Sequence, residues 1–190
     1  QATLALRKTV PSHLPVSVKV RLGWDCTSQA FEIADAVQQG GATEITIHGR
    51  TKADGYHADR INWEKIGEVR SRLTIPVIAN GEIWRWEDGQ ACLKATGCED
   101  LMVGRGALNI PNLSLVLKQN CEKMSWTDIQ KILQKYAEME NFHDSGFYHV
   151  ARIKQWLRYL NKEYPEADIV FERIKTCQTA EDLRERLCQY

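Results

Sequence analysis

Four short apolar runs, recurring along the first hundred residues, constrain this chain more than any other feature. They lie around Val16 to Val20, Glu44 to His48, Pro76 to Ala79 and Asp100 to Val103, carry Val or Ile, and end at polar or glycine residues, the pattern of buried strands. Between them run stretches with helical spacing: Phe31, Ala34 and Val37, then Trp63, Ile66, Val69 and Leu73, then Trp86 to Ala95. The order is β-α-β-α-β-α-β. Crossover helices return a chain to the same end of a sheet, so the strands are expected to be parallel. A repeat of about 25 to 30 residues suits the βα units of a barrel or of a doubly wound sheet. Polar residues able to do chemistry stand at or just beyond the C-terminal ends of the strands. The expected α/β fold is therefore four parallel βα units, half of a TIM (β/α)8 barrel, with the doubly wound sheet as the alternative.

Beyond about Met124 no strand-like run follows, and helical periodicity is broken near His143 to Gly146 and near Tyr164 to Pro165. The expected organisation is residues 1–123 as the barrel half and 124–190 as a small all-α helical bundle domain. Ser125 and Thr179 are expected N-caps, each with acidic residues in the following turn. Gln1 to Val10 reads as the middle of a helix without a start signal, which suggests a chain cut from a longer protein.

Lysine plus arginine balances aspartate plus glutamate at 25 each, which excludes a global basic field, so any RNA site has to be local. No apolar run approaches the ~20 residues that span a bilayer, and no membrane anchor is expected. The six cysteines (Cys26, Cys92, Cys98, Cys121, Cys177 and Cys188) show no C-x-x-C and no Cys/His cluster at zinc spacing. A reducing cytoplasm and no metal follow as expectations.

Four segments offer chemistry. In Ser17-Val18-Lys19-Val20-Arg21 the two-residue period puts Ser17, Lys19 and Arg21 on one face. In a barrel mouth two such cations could hold an anionic cofactor or a developing negative charge; on an edge strand they would only be solvated. Ile47-His48-Gly49-Arg50-Thr51 ends a strand, with Tyr56 shortly after. There His48 could donate to a ring oxygen or a phosphate, or be merely structural, and Arg50 could pair with phosphate. His13, His57 and His143 lack such a setting and receive no role.

Pro76 to Glu82 and Val103 to Leu108 both leave a strand through glycine, so main-chain N–H groups at Gly81 and Gly104 could cradle a phosphate. Gly104-Arg105-Gly106 lacks the third glycine and the acidic strand end of a dinucleotide fingerprint, which excludes a Rossmann site. In the fourth segment, Tyr148 to Leu160, Val150, Ile153, Leu157 and Leu160 form an apolar stripe. Arg152 and Lys154 lie about 100° to either side of Ile153, and Arg158 one turn beyond Lys154. This helix presents either an RNA-binding cationic surface with aromatic neighbours or a solvated charged face.

Taken in order, V-K-V-R-L-G-W, I-H-G-R-T with G-Y following, P-V-I-A-N-G-E-I, M-V-G-R-G-A-L-N-I-P and Y-H-V-A-R-I-K-Q-W-L resemble the tRNA-dihydrouridine synthases, most closely the bacterial C-type enzymes, over essentially the whole chain. The resemblance implies the C-terminal part of an FMN-binding barrel followed by a helical tRNA-binding domain. It implies that NADPH reduces the flavin, which passes a hydride to C6 of a flipped-out D-loop uracil at position 16. By similarity Lys19 contacts the flavin ring near N1/O2. Asn80, Gly81 and Glu82, with Gly104 and Arg105, bind FMN through its phosphate and ribityl chain. His48 lies beside flavin and substrate with Arg21 as its neighbour, both as catalytic residues. Tyr56, Arg152 and Lys154 look like tRNA contacts, to which the cationic helix adds Arg158.

In the family a cysteine protonates C5 from the opposite face, on a segment that would precede this chain, and none of the cysteines here matches it. Cys26 follows Gly23-Trp24-Asp25 in a loop where the family has no acid. The fragment alone is accordingly expected to be inactive, and the full-length protein to be a cytoplasmic monomer. Two alternatives stay open. One is a dihydroorotate dehydrogenase-like FMN barrel acting on a small molecule, which shares the lysine and the glycine turns but not the helical appendage. The other is a catalytically incompetent RNA-binding fragment.

Overall fold

The computed structural model describes residues 1–139 and 147–187. His143, the break expected near 143–146 and Cys188 lie outside the described residues. The chain forms two compact units, Gln1–Gly104 and Arg105–Tyr190.

In the first unit α1 (Ala2–Thr9) precedes β1 (Ser17–Arg21), α2 (Ala30–Gln39), β2 (Glu44–His48), α3 (Trp63–Arg70), β3 (Val77–Asn80), α4 (Trp86–Thr96) and β4 (Asp100–Met102). All three strand pairings are parallel, and the order β1-β2-β3-β4 never reverses. A doubly wound sheet reverses at a switch point, whereas a barrel lays each strand beside the last. The four units are thus half of a barrel.

Every residue of β2 after Glu44 is buried, with Ile45 and Ile47 hidden completely. Ala34 and Val37 of α2, Ile66 and Val69 of α3 and Cys92 of α4 are buried with them in this unit. Each fully buried aliphatic side chain contributes about 1.5–3 kcal/mol. Asn62 caps α3, its side chain accepting from the Lys65 amide at 2.8 Å, a contact worth about 1 kcal/mol. The stripe expected to reach Leu73 stops earlier. α3 ends at Arg70, and the Ser71 and Leu73 amides bond back to Gly67 and Arg70 in a turn. The chain must extend there to enter β3 through Pro76, which disfavours helix in the residue before it.

The second unit contains α5 (Gly106–Asn109), α6 (Leu113–Gln119), α7 (Trp126–Glu138), α8 (Phe147–Leu160), α9 (Glu166–Ile174) and α10 (Ala180–Leu187). Val150, Ile153, Leu157 and Leu160 of α8 are buried, joining Ile129 and Leu133 of α7, Val170 and Ile174 of α9, and Leu183 and Leu187 of α10 in one core. His149 is also buried, its ring stacked on Tyr136 with centroids 4.4 Å apart. Ser125 and Thr179 cap as expected, each hydroxyl accepting at 3.2 Å, from the amides of Asp128 and Asp182. The Trp156 indole donates to the Leu108 carbonyl at 3.1 Å, tying α5 to α8. Among the described residues, no helix is long and apolar enough to cross a membrane, and no cluster of three or more His, Cys, Asp or Glu is placed to hold a metal.

Candidate active site

Strand register assembles the site. Arg21 pairs with His48, His48 with Asn80, and Asn80 with Met102, so one row of residues crosses the C-terminal ends of all four strands. Residues paired in this way project to the same face, and Lys19 lies two residues back on that face, opposite Thr46. Lys19 is largely solvent-accessible. Partial burial of its ammonium, and secondarily the Arg21 charge beside it, hold its pKa below the ordinary lysine range.

Immediately beyond the row comes the turn Asn80-Gly81-Glu82. Asn80 and His48 are buried, and the Asn80 amide donates to the Met102 carbonyl at 2.7 Å. Gly81 adopts φ +124°, and a Cβ there would lie 2.6 Å from Ile61 Cδ1 and 3.1 Å from His48 Cδ2. Only glycine suits such a position. Its carbonyl accepts from the Trp63 indole at 3.0 Å. Glu82 follows at φ +53°, an uncommon conformation for a residue with a side chain. At Gly104, by contrast, a Cβ would meet no protein atom within 4 Å. Arg105 begins the second unit, its carbonyl accepting from the Leu108 amide at 2.9 Å.

Two residues are used differently from their sequence reading. Arg50 is completely buried and ion-paired with Glu82 at 2.6 Å, which corrects the expectation that it is available to a ligand phosphate. The Arg21 guanidinium donates to the carbonyls of Thr51 at 2.8 Å and Gly55 at 3.3 Å and lies 5.7 Å from the centre of the Tyr56 ring. Arg21 therefore braces the loop that carries Tyr56, whose side chain is exposed. Further bonds join the same two loops, from Lys52 N to Gly23 O and from Ala53 N to Trp24 O.

On the second unit, Tyr148, Arg152, Lys154, Arg158, Phe171 and Lys175 line a cavity of about 520 Å³. The Arg152 guanidinium packs on Tyr148 and bonds its hydroxyl, and Arg158 lies over Phe171. Lys154 donates to the carbonyls of Lys175 at 2.9 Å and Cys177 at 2.6 Å, so it also closes the end of α9.

The sequence profile of the dihydrouridine synthases (Dus) matches residues 1–188. The chain belongs to the dihydrouridine synthase family. It is 80% identical over 187 residues to the tRNA-dihydrouridine(16) synthase of Haemophilus influenzae, a match covering 98% of this chain and 60% of that protein. Identity is 69% to the protein of the same name from Pasteurella multocida, at 98% and 60% coverage. It is 57% to that of Escherichia coli K12, at 96% and 58%. The chain thus spans about 60% of the length of the relatives it matches.

In this dihydrouridine synthase chain, sequence reasoning named Arg50 and Glu82 but missed that they pair with each other and that Trp84 joins them. The Arg50–Glu82 pair joins residues 32 positions apart, and only the β2–β3 register reveals it. The Trp84 indole donates to Glu82 Oε2 at 2.8 Å. An indole two residues after a carboxylate was a visible signal, but its meaning depends on the backbone turn between them.

Proposed function

We propose that this chain is the FMN- and tRNA-holding part of a tRNA-dihydrouridine synthase, an oxidoreductase that uses NADPH to convert uridine 16 of the D-loop to 5,6-dihydrouridine. The observation that carries the reading is the Arg21–His48–Asn80 row with Lys19 beside it and the strained Gly81-Glu82 turn beyond it. It occurs in a family chain whose relatives bear that enzyme's name.

The residues fit a flavin mononucleotide. Gly81 permits the turn where Ile61 and His48 already fill the side-chain space, and the space that a Cβ of Gly104 would enter is open to a phosphate or ribityl oxygen. Asn80, Gly81, Glu82, Gly104 and Arg105 would hold those groups, and Lys19 and His48 the ring. When bound, FMN supplies the hydride that reduces the uracil C5–C6 bond.

Lys19 holds a cation in a setting that disfavours it, so an arriving negative charge relieves the penalty and is favoured in turn. His48 orients a ring or substrate oxygen, with Arg21 and Tyr56 as its rim. The proton for C5 is assigned to a cysteine outside these residues. Among the described thiols, burial pushes Cys92 up to about 12 and also raises Cys98, Cys26 is exposed on a loop, and Cys121 and Cys177 belong to the second unit. Residues 124–190 form the tRNA-binding domain, with Arg152, Lys154 and Arg158 supplying phosphate contacts and Tyr148 a stacking face. The whole protein acts as a cytoplasmic monomer.

The purified protein is expected to carry FMN and, with NADPH, to place dihydrouridine at position 16 of an unmodified tRNA transcript, read by mass spectrometry of nuclease fragments. NADPH oxidation that leaves the RNA unchanged would overturn the reading.

A further inference from the structure

We propose that Arg50 is the positioning residue of the flavin site: it grips the Glu82 carboxylate from beneath, holds the Asn80-Gly81-Glu82 turn in shape, and so sets the affinity for FMN. The inference rests on the flavin reading above and adds a residue that touches neither cofactor nor substrate.

Arg50 is fixed before it meets Glu82. Its amide bonds the His48 carbonyl at 2.7 Å, and its carbonyl accepts from the Leu22 amide at 3.0 Å, so its backbone is tied to the ends of β1 and β2. Its side chain is 0% exposed, and its Nε and Nη1 have no protein partner among the described residues. Placing a guanidinium in such an enclosure costs free energy that a single ion pair does not fully return, and an apolar side chain of similar volume would fill the space more cheaply. Simple packing therefore does not account for the choice of arginine. What arginine supplies is a rigid, permanently charged fork reaching from β2 to the turn after β3.

The turn needs such a hold. Gly81 takes positive φ as glycine readily does, but Glu82 follows it at φ +53°, and strain in a residue with a side chain persists only where the surroundings over-determine it. The surroundings do so from three directions. Asn80 is held by the Met102 carbonyl, the Gly81 carbonyl by the Trp63 indole, and the Glu82 carboxylate by Arg50 on one oxygen and the Trp84 indole on the other. Arg50 adds a formal charge to these anchors. Its removal takes the ion-pair partner from one carboxylate oxygen, and the Gly81-Glu82 amides that would face the cofactor lose part of their fixed direction.

The test is a double-mutant cycle in the purified protein: Arg50→Met, Glu82→Gln and the pair together, with FMN affinity measured by fluorescence quenching and folding by thermal melts. Arg50→Met is expected to weaken FMN binding at least tenfold, with a changed flavin absorption band. In the Glu82→Gln background the same substitution should change the affinity less than twofold, because Arg50 acts through that carboxylate. A residue that only fills the core would instead lower affinity equally in both backgrounds. Should Arg50→Met not fold, Arg50→Lys takes its place, expected to fold and to bind FMN three- to tenfold more weakly, since an ammonium does not reproduce the fork. FMN affinity within twofold of the parent in a folded Arg50 variant, or equal losses in both backgrounds, overturns the inference and leaves the flavin reading standing. Failure of the unmodified protein to bind FMN removes the flavin reading, and this inference with it.

Discussion

The two units place their cations in opposite ways. In the first unit Arg50 is sealed beneath a strained turn, and Arg21 is spent on loop carbonyls. In the second, Arg152 and Arg158 lie on the surface over aromatic rings, on a helix whose stability comes from the apolar stripe beneath. Strand ends fix a few atoms at high energetic stakes and suit a ligand with one correct pose. A helix face carries charge at little structural risk and suits a polyanion gripped at several interchangeable points.

Substitutions test this contrast, beginning with the largest effect. Leu157→Ala should empty a fully buried site and lower unfolding free energy by about 2–5 kcal/mol, measured in urea. If the helical unit is a separate grip, tRNA binding should disappear at lower denaturant than FMN binding does. Gly81→Ala forces a side chain into a positive-φ position against Ile61 and His48, and should cost about 1–3 kcal/mol while abolishing FMN binding. Gly104→Ala sharpens the point. It should leave stability within about 0.5 kcal/mol, because no protein atom lies within 4 Å of a Cβ there, yet weaken FMN binding if the proposed cradle uses that space; normal FMN affinity in this variant would remove Gly104 from the cradle.

The second unit should respond more gently. Lys154→Ala loses two carbonyl contacts and should cost about 1 kcal/mol, whereas Arg152→Ala should cost less than about 0.5 kcal/mol. Each should reduce the slope of log tRNA affinity against log salt by roughly one, additively and without effect on FMN. An unchanged slope would make this helix face a solvated surface only.

The smallest effect concerns pH. The Lys19 pKa is lowered by burial and by Arg21, and an anionic ligand favours the protonated form. FMN affinity should therefore be full below that lowered pKa and decline as pH rises through it, starting before the ordinary lysine range, and Lys19→Met should flatten the profile.

Much of this was legible in advance, for reasons that differ by element. The strands announced themselves because Ile45 and Ile47 must be hidden, and the α8 stripe because its period matches a helix. Ser125 and Thr179 were legible because an N-cap is a local contact. The groups that shape the site were not local. Glu82 at positive φ contradicts the preference of its residue type, Arg50 finds it only through strand register, and Lys154 reaches the end of a different helix. Sequence patterns identified which residues gather at the strand ends, while the contacts by which some of them hold the others in place had to come from geometry.

The bonds between the first two loops bear on engineering. Leu22 N to Arg50 O, Lys52 N to Gly23 O, Ala53 N to Trp24 O and the Arg21 fork stitch residues 21–24 to residues 50–55. Anyone transplanting the rim of this sheet to alter selectivity would have to move both segments as a single cassette, because either one, exchanged alone, would arrive without the other half of its scaffold.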